Sequence, residues 1–97
     1  MSSIIRIEID MHDKAKTEEK FPQMKKEFLE KMKENPSAQV LKPSMELRNG
    51  IIFVEIDALF AILAEKVMPQ IKDSISRDFI KQAKEQGLTA SIKCYLK

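Results

Sequence analysis

The dipeptide Asn49-Gly50 constrains the fold of this chain more than any other feature, because runs of alternating apolar and polar residues flank it on both sides. Asparagine and glycine both adopt positive φ, as a two-residue type I′ hairpin turn demands. Counting outward from the turn sets Leu47 opposite Ile52, and a one-residue slip would move the apolar side chains to the polar face. The predicted pairs are Leu47 with Ile52, Met45 with Val54, Pro43 with Ile56, Arg48 with Ile51, Glu46 with Phe53 and Ser44 with Glu55.

Two further strands are predicted at the ends of the chain. Residues Ile4 to Met11 alternate with a period of two, which is typical of a half-buried strand. The last residues alternate in the same way, with Cys94 on the apolar side and Tyr95 on the other. Pro43 has no N–H group to donate, so the first strand of the hairpin is predicted to lie at a sheet edge. The predicted inward residues are Ile5, Ile7, Ile9 and Met11 near the start, and Ala90, Ile92, Cys94 and Leu96 near the end.

A first helix is predicted between the first strand and the hairpin. Its apolar residues share one stripe of helical spacing, with Lys and Glu elsewhere. Pro22 predicts that the helix begins only a few residues earlier, because proline is harmless only where the amide has no intrahelical partner. Asn35-Pro36 is predicted to end it. The stripe consists of Phe21, Met24, Phe28, Leu29 and Met32, and the candidate N-caps are Asp13, Thr17 and Glu18.

A second, longer helix is predicted from an N-cap at Asp57 to Gly87, a residue favoured at helix C-termini. Pro69 lies inside it and predicts that the helix is kinked or split there. The predicted inward positions are Phe60, Leu63, Val67, Ile71, Ile75, Phe79 and Ala83.

The resulting order, β-α-β-β-α-β, matches the ferredoxin-like arrangement of the α+β class. This arrangement has a four-stranded antiparallel sheet with both helices on one face, and the first and third strands are central. A length of 97 residues is typical of one domain. We therefore expect residues 1–97 to form a single α+β domain.

Few side chains are suited to catalysis. His12 is the sole histidine, so a Ser-His or Cys-His pair would have to use it. Cys94 falls on the predicted inward face, where cysteines are usually inert. The run Asp10-Met11-His12-Asp13 offers three metal-ligand side chains but is typical of a solvated turn, and both glycines are assigned to a turn and a helix end. We expect no enzyme activity, no metal and no cofactor.

The charge balance is nearly even, with 17 basic and 15 acidic side chains and a net charge of +2. This is not the strongly basic composition of a typical nucleic-acid binder. The longest uncharged run, Ala58 to Ala64, falls far short of the roughly 20 residues that a membrane span needs. The alternating N-terminus does not match a signal peptide. We expect a cytoplasmic protein, in the host cytoplasm if it is viral, with no membrane contact.

The sheet face opposite the helices is the predicted binding surface. It combines apolar side chains such as Ile4 with aromatic and charged ones, and a contiguous apolar group across neighbouring strands is unusual for a solvated face. Such a mixture is typical of protein interfaces, where aromatic residues and arginine are enriched. The candidate partner-binding residues are Arg6, Arg48, Ile51, Phe53, Lys93 and Tyr95.

The segment Gly50 to Ile56 (GIIFVEI) resembles the third-strand motif of RNA-recognition-motif domains, whose outward aromatic residues stack on bases. It matches that motif at Gly50, Phe53 and Val54. It departs from it at Ile51, where the motif has its first stacking aromatic residue. The resemblance implies a single-stranded RNA- or DNA-binding role, which we keep as the alternative.

The main hypothesis is a small non-enzymatic protein that acts by binding another protein or itself, with a homo-oligomer expected. It could be an assembly subunit, an adaptor or a stoichiometric inhibitor, of the kind that phages and mobile elements encode. The start of the second helix, Ala58 to Ala64, is apolar nearly all round and predicts either a thick core or a further contact surface. The residues of this second candidate interface are Leu59, Ile62 and Met68.

Overall fold

The computed structural model describes residues 3–34 and 42–97. Its elements are β1 (Ile4–Asp10), α1 (Lys14–Glu34), β2 (Ser44–Arg48), β3 (Ile51–Asp57), α2 (Ala61–Glu85) and β4 (Ser91–Leu96). The four strands form one antiparallel sheet in the order β2-β3-β1-β4, so β1 and β3 are central. The predicted α+β class, element order and central strands are confirmed.

The hairpin turn has the backbone conformation that its sequence predicts. Asn49 has a φ of 51° and Gly50 a φ of 78°. The ladder from Ser44 to Arg48 has the predicted register, and β2 lies at a sheet edge as expected. The predicted pairing of Pro43 with Ile56 is wrong, because β2 begins only at Ser44.

One apolar core lies between the sheet and the two helices. Residues at alternate positions of β1 and β3 are buried, as the period of two predicts. Buried side chains of α1, such as Phe28, and of α2, such as Phe79, belong to the same cluster as Ile7. Both helices therefore cover the same face of the sheet, and neither of them covers the opposite face.

Helix α1 begins earlier than Pro22 predicts. Asp13 caps it, because its Oδ1 atom accepts a hydrogen bond of 3.0 Å from the amide of Lys16 and its carbonyl accepts one of 3.0 Å from the amide of Thr17. Of the three candidate caps, Asp13 is the one confirmed. Pro22 then lies well inside the helix, so the prediction that the helix starts just before it is wrong. Asn35 and Pro36, the predicted end, lie outside the described residues.

Helix α2 begins later than predicted. Asp57 is not its N-cap but the last residue of β3, and its Oδ1 atom accepts a hydrogen bond of 2.9 Å from the amide of Leu59. This turn changes which side chains face inward: Phe60 and Leu63, predicted inward, are 69% and 38% exposed, while Ala64 is buried. The reason is that Leu59 turns the chain with a φ of 73° before the helix starts at Ala61.

Helix α2 continues through Pro69 without interruption. It is therefore not split at this residue, and a bend there stays a prediction. Val67 and Ile71 pack against the core, and Ile75 is buried, as their spacing predicts. Within residues 3–34 and 42–97, neither helix combines the length and the apolar character required to cross a membrane.

Candidate functional site

The sheet face turned away from the helices, called the outer face below, contains all six predicted partner-binding residues. Its residues alternate with the core residues along each strand, and the strand registers align them in rows across the sheet. The predicted residues thus share one continuous surface. The rows, from β2 to β4, are Arg48, Ile51, Asp10 and Ser91; then Glu46, Phe53, Glu8 and Lys93; then Ser44, Glu55, Arg6 and Tyr95.

Phe53 lies at the centre of the outer face with two arginines beside it. The guanidinium carbon of Arg6 lies 5.4 Å from the centroid of the Phe53 ring, and that of Arg48 lies 5.8 Å from it. Both distances are within the range of a cation–π interaction. The side chain of Phe53 is half-buried although it lies outside the core, since its arginine neighbours flank it.

Arg6 belongs to a polar network that crosses three strands. Its Nε atom donates a hydrogen bond of 3.2 Å to Oε2 of Glu55, and the Nζ atom of Lys97 donates one of 3.2 Å to the same oxygen. Hydrogen bonding to Tyr95, its partner across the β1–β4 ladder, and then to Glu55 raises the pKa of Arg6. Arg6 is therefore held by the Glu55 carboxylate on β3 and lies opposite Tyr95 on β4.

The electrostatics of Glu55 have opposing contributions. Burial raises the pKa of this carboxyl, but hydrogen bonds from Lys97 and Arg6 outweigh burial, so the pKa lies below its ordinary value. Glu55 consequently stays ionised to a lower pH than an isolated glutamate.

Arg48 is also paired with a carboxylate. Its guanidinium lies 2.6 Å from Oε2 of Glu46, on the same strand. Beside these two residues and Phe53 the outer face has a shallow depression of about 10 Å³, which has room for about one water molecule and not for a small-molecule ligand. This part of the outer face is therefore shaped for contact with another molecule over an open surface and not for enclosing a small ligand.

The outer face carries both signs of charge in nearly equal number. Lys93 is exposed and lies opposite Glu8 in the β1–β4 ladder, and Arg6 lies opposite Glu55 in the β1–β3 ladder. The acidic residues along the outer face are Glu8, Asp10, Glu46, Glu55 and Asp57, and the basic ones, with the residue that follows β4, are Arg6, Arg48, Lys93 and Lys97.

A Ser-His-Asp constellation, which the sequence analysis missed, lies at one end of this face. The Nε2 atom of His12 is 2.7 Å from Oγ of Ser91, and its Nδ1 atom is 3.7 Å from Oδ2 of Asp10. The second distance is too long for a hydrogen bond. The histidine and aspartate side chains are 53% and 44% exposed, so water competes for both. The β1–β4 register sets Asp10 opposite Ser91, and the sequence carries no local signal for this pairing because the two strands lie far apart in the chain.

The second candidate interface is only partly brought together. Leu59 is 47% exposed and Ile62 is 69% exposed, whereas Met68 packs against the core. Phe60 and Leu63 join the exposed pair instead. These four residues form an apolar surface at the start of α2, called the apolar tip below.

A further feature missed in the sequence is a groove of about 180 Å³ between α1 and α2. Phe28 and Phe79 line it, and Lys31 forms an ion pair of 3.2 Å with Asp78 on its wall. It lies on the helical side of the protein, away from the outer face.

Metal-ligand side chains are scattered over the described part of the chain, where no three His, Cys, Asp or Glu residues group into a metal site. Comparisons with protein-family models, with curated proteins and with solved structures find no match.

Proposed function

We propose that this chain is a non-enzymatic protein of ferredoxin-like topology that acts by binding another protein through the outer face. The observation that carries the proposal is the position of Phe53 between Arg6 and Arg48, at the centre of a surface without a deep pocket. Aromatic residues and arginine dominate the energetic centres of protein interfaces. The strand order β2-β3-β1-β4 supports the ferredoxin-like topology, in which this face is open.

The charge pattern favours a protein partner over a nucleic acid. Nucleic-acid affinity comes largely from Lys and Arg side chains that neutralise phosphates and release counterions, and a carboxylate already paired with such a cation reduces this gain. Here Arg6 is paired with Glu55, and Arg48 is paired with Glu46. A phosphate backbone would meet these carboxylates at the same place, whereas a protein surface can supply complementary charges of both signs.

The arginines also oppose base stacking on Phe53. A stacking platform presents a free aromatic face to each base. Two guanidinium groups already lie over the Phe53 ring, so a base would have to displace at least one of them. The matches of Gly50, Phe53 and Val54 to the RNA-recognition motif are therefore better explained by the hairpin turn and the sheet.

The test is affinity capture from the native host with the wild-type protein, followed by reconstitution of the binary complex from purified components. We expect the double variant F53A/Y95A to stay folded and to weaken this complex by about 2 kcal/mol or more, a hot-spot effect. The control variant I62A changes an exposed residue of the apolar tip and should bind like the wild type.

A parallel titration with a labelled single-stranded oligonucleotide at low and moderate salt tests the alternative. Binding that falls steeply with salt and is lost in F53A/Y95A would replace the protein-binding proposal with the nucleic-acid one. A complex that F53A/Y95A forms normally while I62A does not would move the binding surface to the apolar tip.

A further inference from the structure

Strand β4 is an edge strand, and its hydrogen-bonding groups can be assigned. The amide of Lys97 donates to the carbonyl of Ile4 at 2.8 Å, which makes these two residues a hydrogen-bonded pair of the antiparallel ladder. Such pairs alternate along antiparallel strands. The backbone groups of Lys93 and Tyr95 therefore also face β1. Those of the alternate residues, Ile92, Cys94 and Leu96, face the outer edge, where no strand of the described ranges pairs with them.

The two edges of the sheet differ in how open they are to pairing. Edge strand β2 has five residues and follows Pro43, both features that discourage a further strand. Edge strand β4 has six residues and no proline. Its inward side chains, such as Cys94, are only partly buried, whereas Ile7 of β1 is fully buried. A strand added beside β4 would complete both the ladder and the burial of these side chains.

We propose that β4 pairs with β4 of a second copy of this chain, antiparallel and about a two-fold axis, to form one continuous eight-stranded sheet. The proposed register sets Cys94 opposite Cys94 of the second copy, in a hydrogen-bonded pair. It sets Ile92 opposite Leu96 in the next hydrogen-bonded pairs, and both of these side chains face the core. It sets Lys93 opposite Tyr95 on the outer face, where an ammonium group and an aromatic ring attract each other.

The two symmetric registers shifted by one residue are both disfavoured by charge. One would set Lys93 opposite Lys93 of the second copy, and the other would set Lys93 opposite Lys97, in non-hydrogen-bonded pairs, in which side chains approach most closely. Like charges directly opposite each other destabilise a sheet. The charge pattern of β4 thus favours the register centred on Cys94 over both of its neighbours. The ladder of this interface uses the sheet edge, but its Lys93–Tyr95 pairs lie on the outer face, so F53A, a variant outside the ladder, separates it from the partner proposed for that face.

Sedimentation of the wild-type protein tests the association, with a dimer of about twice the 11.2 kDa chain expected. Hydrogen exchange then tests whether the association occurs through β4. In the dimer the amides of Ile92, Cys94 and Leu96 should exchange about tenfold or more slowly than in diluted monomer, while those of Lys93 and Tyr95 should not change. A protein that stays monomeric at hundreds of micromolar, or a dimer that leaves the first three amides unprotected, would overturn the proposal.

Two cysteine variants without Cys94 test the register by oxidation with diamide. K93C/C94S and Y95C/C94S should each fail to form a disulfide-linked dimer alone and should form one when mixed, because residue 93 faces residue 95 across the axis. Non-hydrogen-bonded pairs have Cα atoms about 4.5 Å apart, within the range of a disulfide. Efficient cross-linking of K93C/C94S alone would overturn the register. F53A is the control, and it should dimerise like the wild type whether or not it binds an outer-face partner.

Discussion

Replacement of Gly50 by alanine tests the hairpin turn and the docking of α1 in one experiment. Gly50 has a φ of 78°, and a Cβ atom added to it would lie 2.7 Å from Cγ, 3.0 Å from Cβ and 3.2 Å from Cα of Lys14, the first residue of α1. The positive φ costs about 1–2 kcal/mol for a residue with a Cβ atom. Relief of the close contact would require a shift of helix backbone, since Cα of Lys14 is part of it, and overpacking costs about 1–3 kcal/mol. We expect G50A to lower the free energy of unfolding by about 2–5 kcal/mol, the sum of these two costs.

Gly87 offers a matched control for the backbone contribution. It has a φ of 72°, and an added Cβ atom would meet nothing within 4 Å. G87A should therefore cost only the backbone strain, about 1–2 kcal/mol. Urea denaturation of both variants measures the difference, which is the contribution of the contact with Lys14. Equal losses for G50A and G87A would refute the close approach of the turn to α1, and an unchanged G50A would refute the turn itself.

Two further predictions concern single side chains in the sheet. Burial raises the pKa of the Cys94 thiol, and the nearby Lys72 lowers this pKa by less. We therefore expect a bulky maleimide to label Cys94 slowly at pH 7 in the folded protein and rapidly in urea. Equal labelling rates would show that the thiol faces solvent. Glu55 has a folded-state pKa below its unfolded value, so its stabilisation is present above the unfolded pKa of about 4.3 and is lost as the pH falls through the folded pKa. E55Q should be less stable than the wild type at pH 7, with the gap narrowing in urea denaturation at pH 3; a gap that is the same at both values would contradict the ion-pair account.

Local periodicity and turn chemistry account for most of the fold that could be predicted. The alternation of β1 and β4, the stripe of α1 and the Asn49-Gly50 turn each depend on residues close together in the chain. The hairpin register follows from the turn because a two-residue loop leaves one pairing that sorts apolar from polar side chains. The membership of the outer face followed by the same alternation, so all six predicted residues share it.

The wrong predictions concern the helix starts, where local signals disagree and tertiary packing determines the outcome. Pro22 by itself favours a helix start, but the cap at Asp13 together with the buried stripe placed it in the helix interior. At the start of α2, residues Ala58 to Ala64 are apolar nearly all round, so periodicity could not select the inward face. Packing placed the small Ala64 against the core and left Phe60 and Leu63 exposed.

The sequence by itself therefore determined the element order, the hairpin register and which strand residues turn away from the helices, because each follows from the geometry of neighbouring residues. Only the tertiary structure decided which outer-face residues meet across strands. The flanking of Phe53 by Arg6 and Arg48 requires three strands in fixed register, and the approach of His12 to Ser91 joins the two ends of the chain. Such contacts depend on the stagger of strands that are distant in sequence, and local preferences do not encode that stagger.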